Sequence, residues 1–355
     1  MTGRSPQLDP RIVHGLKPEH VEDLRSTCHL AQVPAGAVLM EPGDDDRSML
    51  LLLDGEIELL APETELARPP TLLIGGTSFG AEALRGMLSV RTRTAICRVD
   101  SQVMVLESPG FQELVQRGNP VEANIDATAL REACSRLREQ LGALRGRRDH
   151  HPLPDAPKPR REGFMVRLGR AMDLIDPEEP ELDDLLAILS RFPGLEAAPE
   201  SLLLRLEELS QPRWMRRGAR AQPDPREATQ PMLVVEGRLD AWWEERGGLG
   251  TLAASVGPDH LAGAESAIDG DGLPIRWIAG EDSVVIEVPR GIFADALIAR
   301  DGDARALRAA LCASMAVVLR GARSHSEPLP ARAPSRETLL SPAARPLPGR
   351  AVRIA

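Results

Sequence analysis

At 355 residues the chain is too long for one ordinary hydrophobic core, and 42% apolar residues suffice for two domains with connecting segments. Four cysteines without CxxC pairing and seven histidines without metal-ligand spacing exclude a disulfide framework and a structural zinc site, and suit a reducing compartment. A net charge of −10 argues against nonspecific nucleic-acid binding.

The first ten residues show no signal-peptide pattern, and the apolar run 309–319 is too short to span a bilayer, so no membrane association and a cytoplasmic location are expected. Residues 1–14 read as a tail. An amphipathic helix follows over 17–28, with Val21 and Leu24 toward a core. Strands are expected at 30–33, 37–40, 49–53, 56–60 and 71–74. Breakers separate them at Pro34-Ala35-Gly36, Glu41-Pro42-Gly43-Asp44, Asp54-Gly55 and Pro69-Pro70. Two more strands, 92–99 and 102–107, precede a helix over 109–116. Short strands in close succession predict a mainly β unit, a β-roll or jelly roll with flanking helices.

Residues 128–144 form a longer helix in which Leu130, Cys134, Leu137, Leu141 and Leu144 make a heptad-like seam. That face either packs on its own barrel or forms a homodimer contact. A Pro- and charge-rich linker runs from 146 to 180. Within it, His150-His151 reads as a solvated polar pair, and Arg160-Arg161-Glu162-Gly163-Phe164 faintly resembles a kinase pseudosubstrate, although basic linkers are ordinary.

From about residue 181 the pattern repeats. Gly36 and Gly55 recur as Gly218 and Gly237, each displaced by 182 positions, and Gly80-Ala81-Glu82 recurs as Gly263-Ala264-Glu265, displaced by 183. Turn glycines and a loop tripeptide keeping step in this way point to tandem duplication. The expected division is therefore 15–145 and 181–323 as domains, with a disordered tail over 324–355.

The stretch Phe79-Gly80-Ala81-Glu82-Ala83-Leu84, followed by Arg91-Thr92-Arg93-Thr94, has the parts of a phosphate-binding cassette. A glycine lets backbone approach an anion, a short helix offers its N-terminal amides, and arginine presents a donor fork matched to phosphate oxygens. A carboxylate such as Glu82 can accept from a ribose hydroxyl. Residues 91 and 93 would share one face of a strand, so either could reach the anion.

Together with "PAGAVLMEPGD", "DGEIEL" and "SQVMVL", these residues resemble the cyclic nucleotide-binding domain family. The resemblance covers about 15–144 well and 181–323 more weakly. It implies two tandem eight-stranded β-rolls whose helices move when ligand fills the cassette. It also implies that Phe79 to Leu84 line a bound cAMP or cGMP, that Arg91 pairs with its phosphate, and that Thr92 sits beside it. The family's ribose glutamate follows the glycine directly, where this chain has Ala81, so Glu82 matches only with a one-residue shift.

In the second copy the phosphate arginine's place falls near Leu273-Pro274, and Asp269 and Asp271 would repel a phosphate. That copy is expected to keep the fold without binding nucleotide. Trp242, Trp243 and Trp277 are expected to fill its core. The resemblance thus implies a non-enzymatic regulator acting on a protein partner, with no cofactor. A ligand-free interaction scaffold is the alternative. Gly76-Thr77-Ser78-Phe79-Gly80 also matches the GxSxG elbow of serine hydrolases, but the expected short strands do not match the parallel sheet that motif requires. No recognition-helix pair follows either unit, which disfavours a transcription factor.

Overall fold

A computed structural model of the protein describes residues 7–61, 70–144, 151–154, 185–222, 229–244, 249–269, 273 and 275–326. These residues divide into two compact units, with the break after Ala129.

The first unit begins with a short helix α1 (Pro10–Val13) and α2 (Pro18–Thr27), each opened by a proline that fits the first helical turn. Among the described residues eight strands follow: β1 (His29–Val33), β2 (Val38–Met40), β3 (Ser48–Asp54), β4 (Glu56–Leu60), β5 (Thr71–Ile74), β6 (Thr77–Phe79), β7 (Thr94–Cys97) and β8 (Ser101–Glu107). They form two antiparallel sheets, ordered β1-β8-β3-β6 and β2-β7-β4-β5. Leu50, Leu52, Ile57, Phe79, Cys97, Val103 and Val105 fill the space between them. In β4 the alternation sends Ile57 and Leu59 inward, while β3 is buried along nearly its whole length, as a central strand covered on both faces should be.

The turn from β3 to β4 needs Gly55. Its φ is +104°, and a Cβ there would lie 2.2 Å from Ser101 Oγ. After β6 comes α3 (Ala81–Leu84), and after β8 come α4 (Ser108–Gln116) and the long α5 (Val121–Leu144).

The second unit repeats this order with α6 (Leu185–Leu189) and α7 (Glu200–Leu209) ahead of β10 (Gln211–Met215), β11 (Met232–Glu236) and β12 (Leu239–Glu244). Next are β13 (Leu249–Val256), β14 (His260–Ala262), α8 (Ala264–Ile268), β15 (Ile275–Ala279), β16 (Ser283–Glu287), α9 (Arg290–Ala296) and α10 (Gly302–Ser326). One sheet runs β10-β16-β11-β14, matching its counterpart strand for strand. The other differs at both edges. The place of β2 is reduced to one bridge, Arg220 to Ile278, each partner 182 positions beyond the Val38–Ile96 pair. At the far edge β9 (His151–Pro152) pairs with Leu249 and Gly250, and the next residue, Leu153, is buried against Gly250.

Several expectations change here. The strand expected over 92–99 spans only Thr94–Cys97, so Arg91, Thr92 and Arg93 lie in a loop and do not share a strand face. Strand β6 was not anticipated, α1 lies within the expected tail, and α5 starts seven residues earlier than expected. The seam residues Leu130, Cys134, Leu137 and Leu141 are buried, but they belong to the second unit. Trp243 and Trp277 are buried in the second core as expected, and Trp242 is half-buried. The pseudosubstrate-like stretch, Asp271, Pro274 and residues 327–355 of the expected tail lie outside the described residues. Among the described residues no helix is long and apolar enough to cross a membrane.

Candidate functional site

The first cassette is built on Gly80. Its left-handed φ of +86° turns the chain from β6 into α3, and a Cβ there would lie 2.4 Å from Arg91 Nη1 and 3.2 Å from Ser48 O. Glycine is thus required twice, for the dihedral and for the close approach. The side chains of Phe79, Ala81, Glu82, Ala83 and Leu84 are all buried.

Arg91 reaches this corner because backbone bonds clamp it. Its N–H donates to Asp44 O at 2.6 Å, and its carbonyl accepts from Gly43 N at 2.9 Å. The side chain is only 3% exposed. Nε and Nη2 donate to Asp46 Oδ1 at 2.8 and 2.5 Å, and Nη2 also reaches Ser48 O at 2.5 Å and Ser48 Oγ at 3.1 Å. A guanidinium has five N–H donors. All of the hydrogen bonds found for this one leave through Nε and Nη2, while Nη1 lies against Gly80 and makes none among the described residues. Thr92 and Arg93 are half-buried, and the atoms nearest the Gly80 corner belong to Arg91 and Ser48.

Asp44, Asp46 and Ser48 were missed as site residues. Asp46 and Ser48 position the arginine rather than the anion, and only the turn signal at Glu41-Pro42-Gly43-Asp44 marked this loop in the sequence. Arg85 and Asp126 were missed as well. Arg85 closes α3, places Nε 2.8 Å from the fully buried Asp126 carboxylate on α5, and lies 5.2 Å over the Phe111 ring of α4. A cavity of about 390 Å³ opens beside Asp46 and Ser48, but it is lined by Asp44, Asp45, Asp46 and Glu107 rather than by the cassette. Its carboxylates would repel a phosphate.

Ser78 sits in the middle of β6, paired with Leu51 in an antiparallel sheet. Its Oγ donates to Asp9 Oδ2 at 2.6 Å, and Arg11 holds the same carboxylate. Burial pushes the Asp9 carboxyl up, but the bonds from Arg11 and Ser78 outweigh it and leave it below the ordinary value of 3.8. This is a structural latch tying α1 to the cassette strand. A hydrolase would need an imidazole acting as base on Oγ.

The second corner has the same backbone and different chemistry. Gly263 has φ +77° and opens α8, but the nearest atom to a Cβ there is Thr229 Cγ2, at 2.9 Å, with Gln230 O at 3.1 Å. A threonine methyl thus stands where the guanidinium stands in the first unit. Arg276, the nearest arginine in sequence, is paired with Glu244. Glu265 is buried and accepts from Trp277 Nε1 at 2.8 Å. Burial raises its carboxyl above the ordinary 4.5, against the opposing effect of the Trp277 hydrogen bond.

The left-handed glycine between a β-strand and a short buried helix therefore recurs at matching places in two rolls of like strand order. Each unit is a β-roll of antiparallel sheets carrying such a glycine-led corner.

No protein-family model matches the chain, and no curated protein matches it. Among solved structures it is similar to the regulatory subunit of a cAMP-independent protein kinase A from Trypanosoma brucei, a mutant bound to cAMP in its A site. That likeness has 13% identity over 81% of this chain and 83% of that one, at a TM-score of 0.29. The cAMP-bound regulatory domain of Toxoplasma gondii protein kinase A gives 13% identity, 80% and 87% coverage and a TM-score of 0.28. The Thermus thermophilus catabolite activator protein gives 22% identity over 40% of this chain and 75% of that one, at 0.29. At such TM-scores the likenesses carry no weight of their own. The fold rests on strand order and the paired cassettes.

Proposed function

We propose that the protein is a non-enzymatic regulator whose first roll binds a cyclic nucleotide, cAMP or cGMP, or a related phosphate, and relays its presence to a protein partner. The observation that carries this reading is the set of Arg91 donors at Nη1, held beside the Gly80 turn by a guanidinium already anchored on its other edge. Asp46 neutralises and orients the arginine without ligand, so a phosphate arriving at Nη1 meets a preorganised donor. Glu82, buried in the first turn of α3, is the carboxylate nearest the ribose in this reading. The second roll, with Thr229 in the arginine's place and Glu265 engaged by Trp277, keeps the fold without binding nucleotide. Ligand in the first cassette would favour one arrangement of α5 over another, by its differential affinity for the two.

A second reading, a ligand-free interaction scaffold, is favoured by one observation. Arg91 is largely satisfied by Asp46 and Ser48, and the cavity beside these two residues does not border the cassette. Titration calorimetry with cAMP and with cGMP on wild type, Arg91→Lys and Arg91→Ala decides between them. Loss of a charge-assisted phosphate contact should weaken binding by roughly 1.5–3 kcal/mol in Arg91→Ala. Wild type that gives no heat and no thermal shift with either nucleotide leaves the scaffold reading standing.

A further inference from the structure

Residues paired across neighbouring strands share a face, so the ladder registers show which side chains lie together outside the sheet β2-β7-β4-β5. Val38 on β2 lies opposite Ile96 on β7, Ile96 opposite Glu58 on β4, and Glu58 opposite Leu72 on β5. Glu56 and Ile74 make a second pair on the same face, while Ile57, Leu59 and Leu73 turn inward to the core. The row is apolar at both edges and open to solvent, with Val38 49%, Leu72 54% and Ile74 57% exposed. Between the edges Ile96 is half-buried, and Arg98 Nη1 donates to Glu58 Oε2 at 3.0 Å.

The second roll supplies an internal control. There the same register runs Arg220, Ile278, Asp240, Ser255. An arginine and a serine stand where the first roll has Val38 and Leu72. Ile278 is fully buried, and Ser255 Oγ donates to Asp240 Oδ1 at 2.7 Å. The fold therefore does not demand apolar residues at these edges. A contiguous exposed apolar row in one copy of a duplicated fold, and not in the other, marks a contact surface.

We propose that this face packs against the same face of a second copy of the chain. A two-fold contact joins one patch to itself, so the patch must be self-complementary. Let the axis run along the strands between the central pair β7 and β4. The β2 edge of one copy then lies over the β5 edge of the other, as in face-to-face sheet packing. Val38 meets Leu72 and Ile74 of the partner subunit, and Arg98 meets Glu56 and Glu58 of the partner subunit. Apolar edges thus meet apolar edges and base meets acid. Four short strands offer a modest area, so a dimer of micromolar affinity is expected. The inference is independent of whether the first roll binds a nucleotide.

The test is sedimentation velocity on the full chain across the micromolar range. Wild type should pass from monomer to dimer, and Leu72→Asp with Ile74→Asp should raise the dissociation constant about thirtyfold or more. Ile298→Asp, at an exposed apolar residue of the second unit, should leave it unchanged. Arg98→Glu leaves a face of acids alone, and Glu56→Lys with Glu58→Lys leaves one of bases alone. Each of these should stay monomeric by itself, and an equimolar mixture of the two should form the dimer. Wild type that stays monomeric throughout overturns the proposal. So does a dimer unmoved by the Leu72 and Ile74 changes, or one lost with Ile298→Asp, or a mixture that stays monomeric. If Leu72→Asp with Ile74→Asp does not fold, the charge-reversed mixture carries the test.

Discussion

Alanine at Gly80 measures how tightly the cassette corner is built, with alanine at Gly36 as the internal control. Both glycines are left-handed, at φ +86° and +81°, and an L side chain in that region costs about 1–2 kcal/mol. A Cβ at Gly36 has nothing within 4 Å, so Gly36→Ala should lose that strain and no more. At Gly80 the new methyl would sit 2.4 Å from Arg91 Nη1, and the guanidinium can retreat only by loosening its bonds to Asp46 and Ser48. Losing one hydrogen bond to a charged group adds about 1.5–3 kcal/mol, for a total of about 2.5–5 kcal/mol. Trp214, Trp242, Trp243 and Trp277 all lie in the second unit, so fluorescence does not follow this loss. Hydrogen exchange of β3 and β8 against urea does. Equal costs for the two substitutions would refute the claim that the arginine is packed against the turn.

Two further outcomes follow from buried carboxyls. Trp277→Phe removes the donor to Glu265 and should destabilise the second unit by about 1–3 kcal/mol, measured by urea unfolding with circular dichroism. Adding Glu265→Leu should recover part of that loss, because both polar partners are then gone. The sign of the pH effect differs between the two carboxyls. The Glu265 value is raised, so the stability its neutral form retains below 4.5 is lost as pH rises from 4.5 through the folded value, and Glu265→Gln should flatten that fall. The Asp9 value is lowered, so its contribution is present above 3.8 and lost as pH falls through the folded value, a dependence that Asp9→Asn should remove. Ser78, donating to that carboxylate and 4% exposed, should stay unlabelled by a fluorophosphonate probe.

Much of the fold was legible because alternation and turn chemistry are local. The strand 56–60 between Asp54-Gly55 and the next breaker, the strand 71–74 after Pro69-Pro70, and the repeated glycines each needed only neighbouring residues to be read. Strand β6 escaped because three residues, Thr77–Phe79, are too few to show a period, and β9 escaped because two residues in a polar linker carry no strand signal. The placement of Gly80 and Arg91 could be anticipated from residue type and spacing. Their supports could not be, since Asp46 is 45 positions from Arg91 and becomes its partner only when β3 and the loop before β7 come together. The heptad-like seam was legible as a buried face, but its seat in the second unit depends on long-range packing that periodicity does not encode.

The stoichiometry of nucleotide binding tests most directly the idea of one working cassette and one that has lost its ligand chemistry. Equilibrium dialysis of the full chain against labelled cAMP or cGMP should saturate near one nucleotide per chain. Arg91→Ala should abolish or sharply weaken it, and Glu265→Gln should leave it unchanged. Saturation at two per chain, or binding that survives Arg91→Ala and falls with Glu265→Gln, would contradict the account.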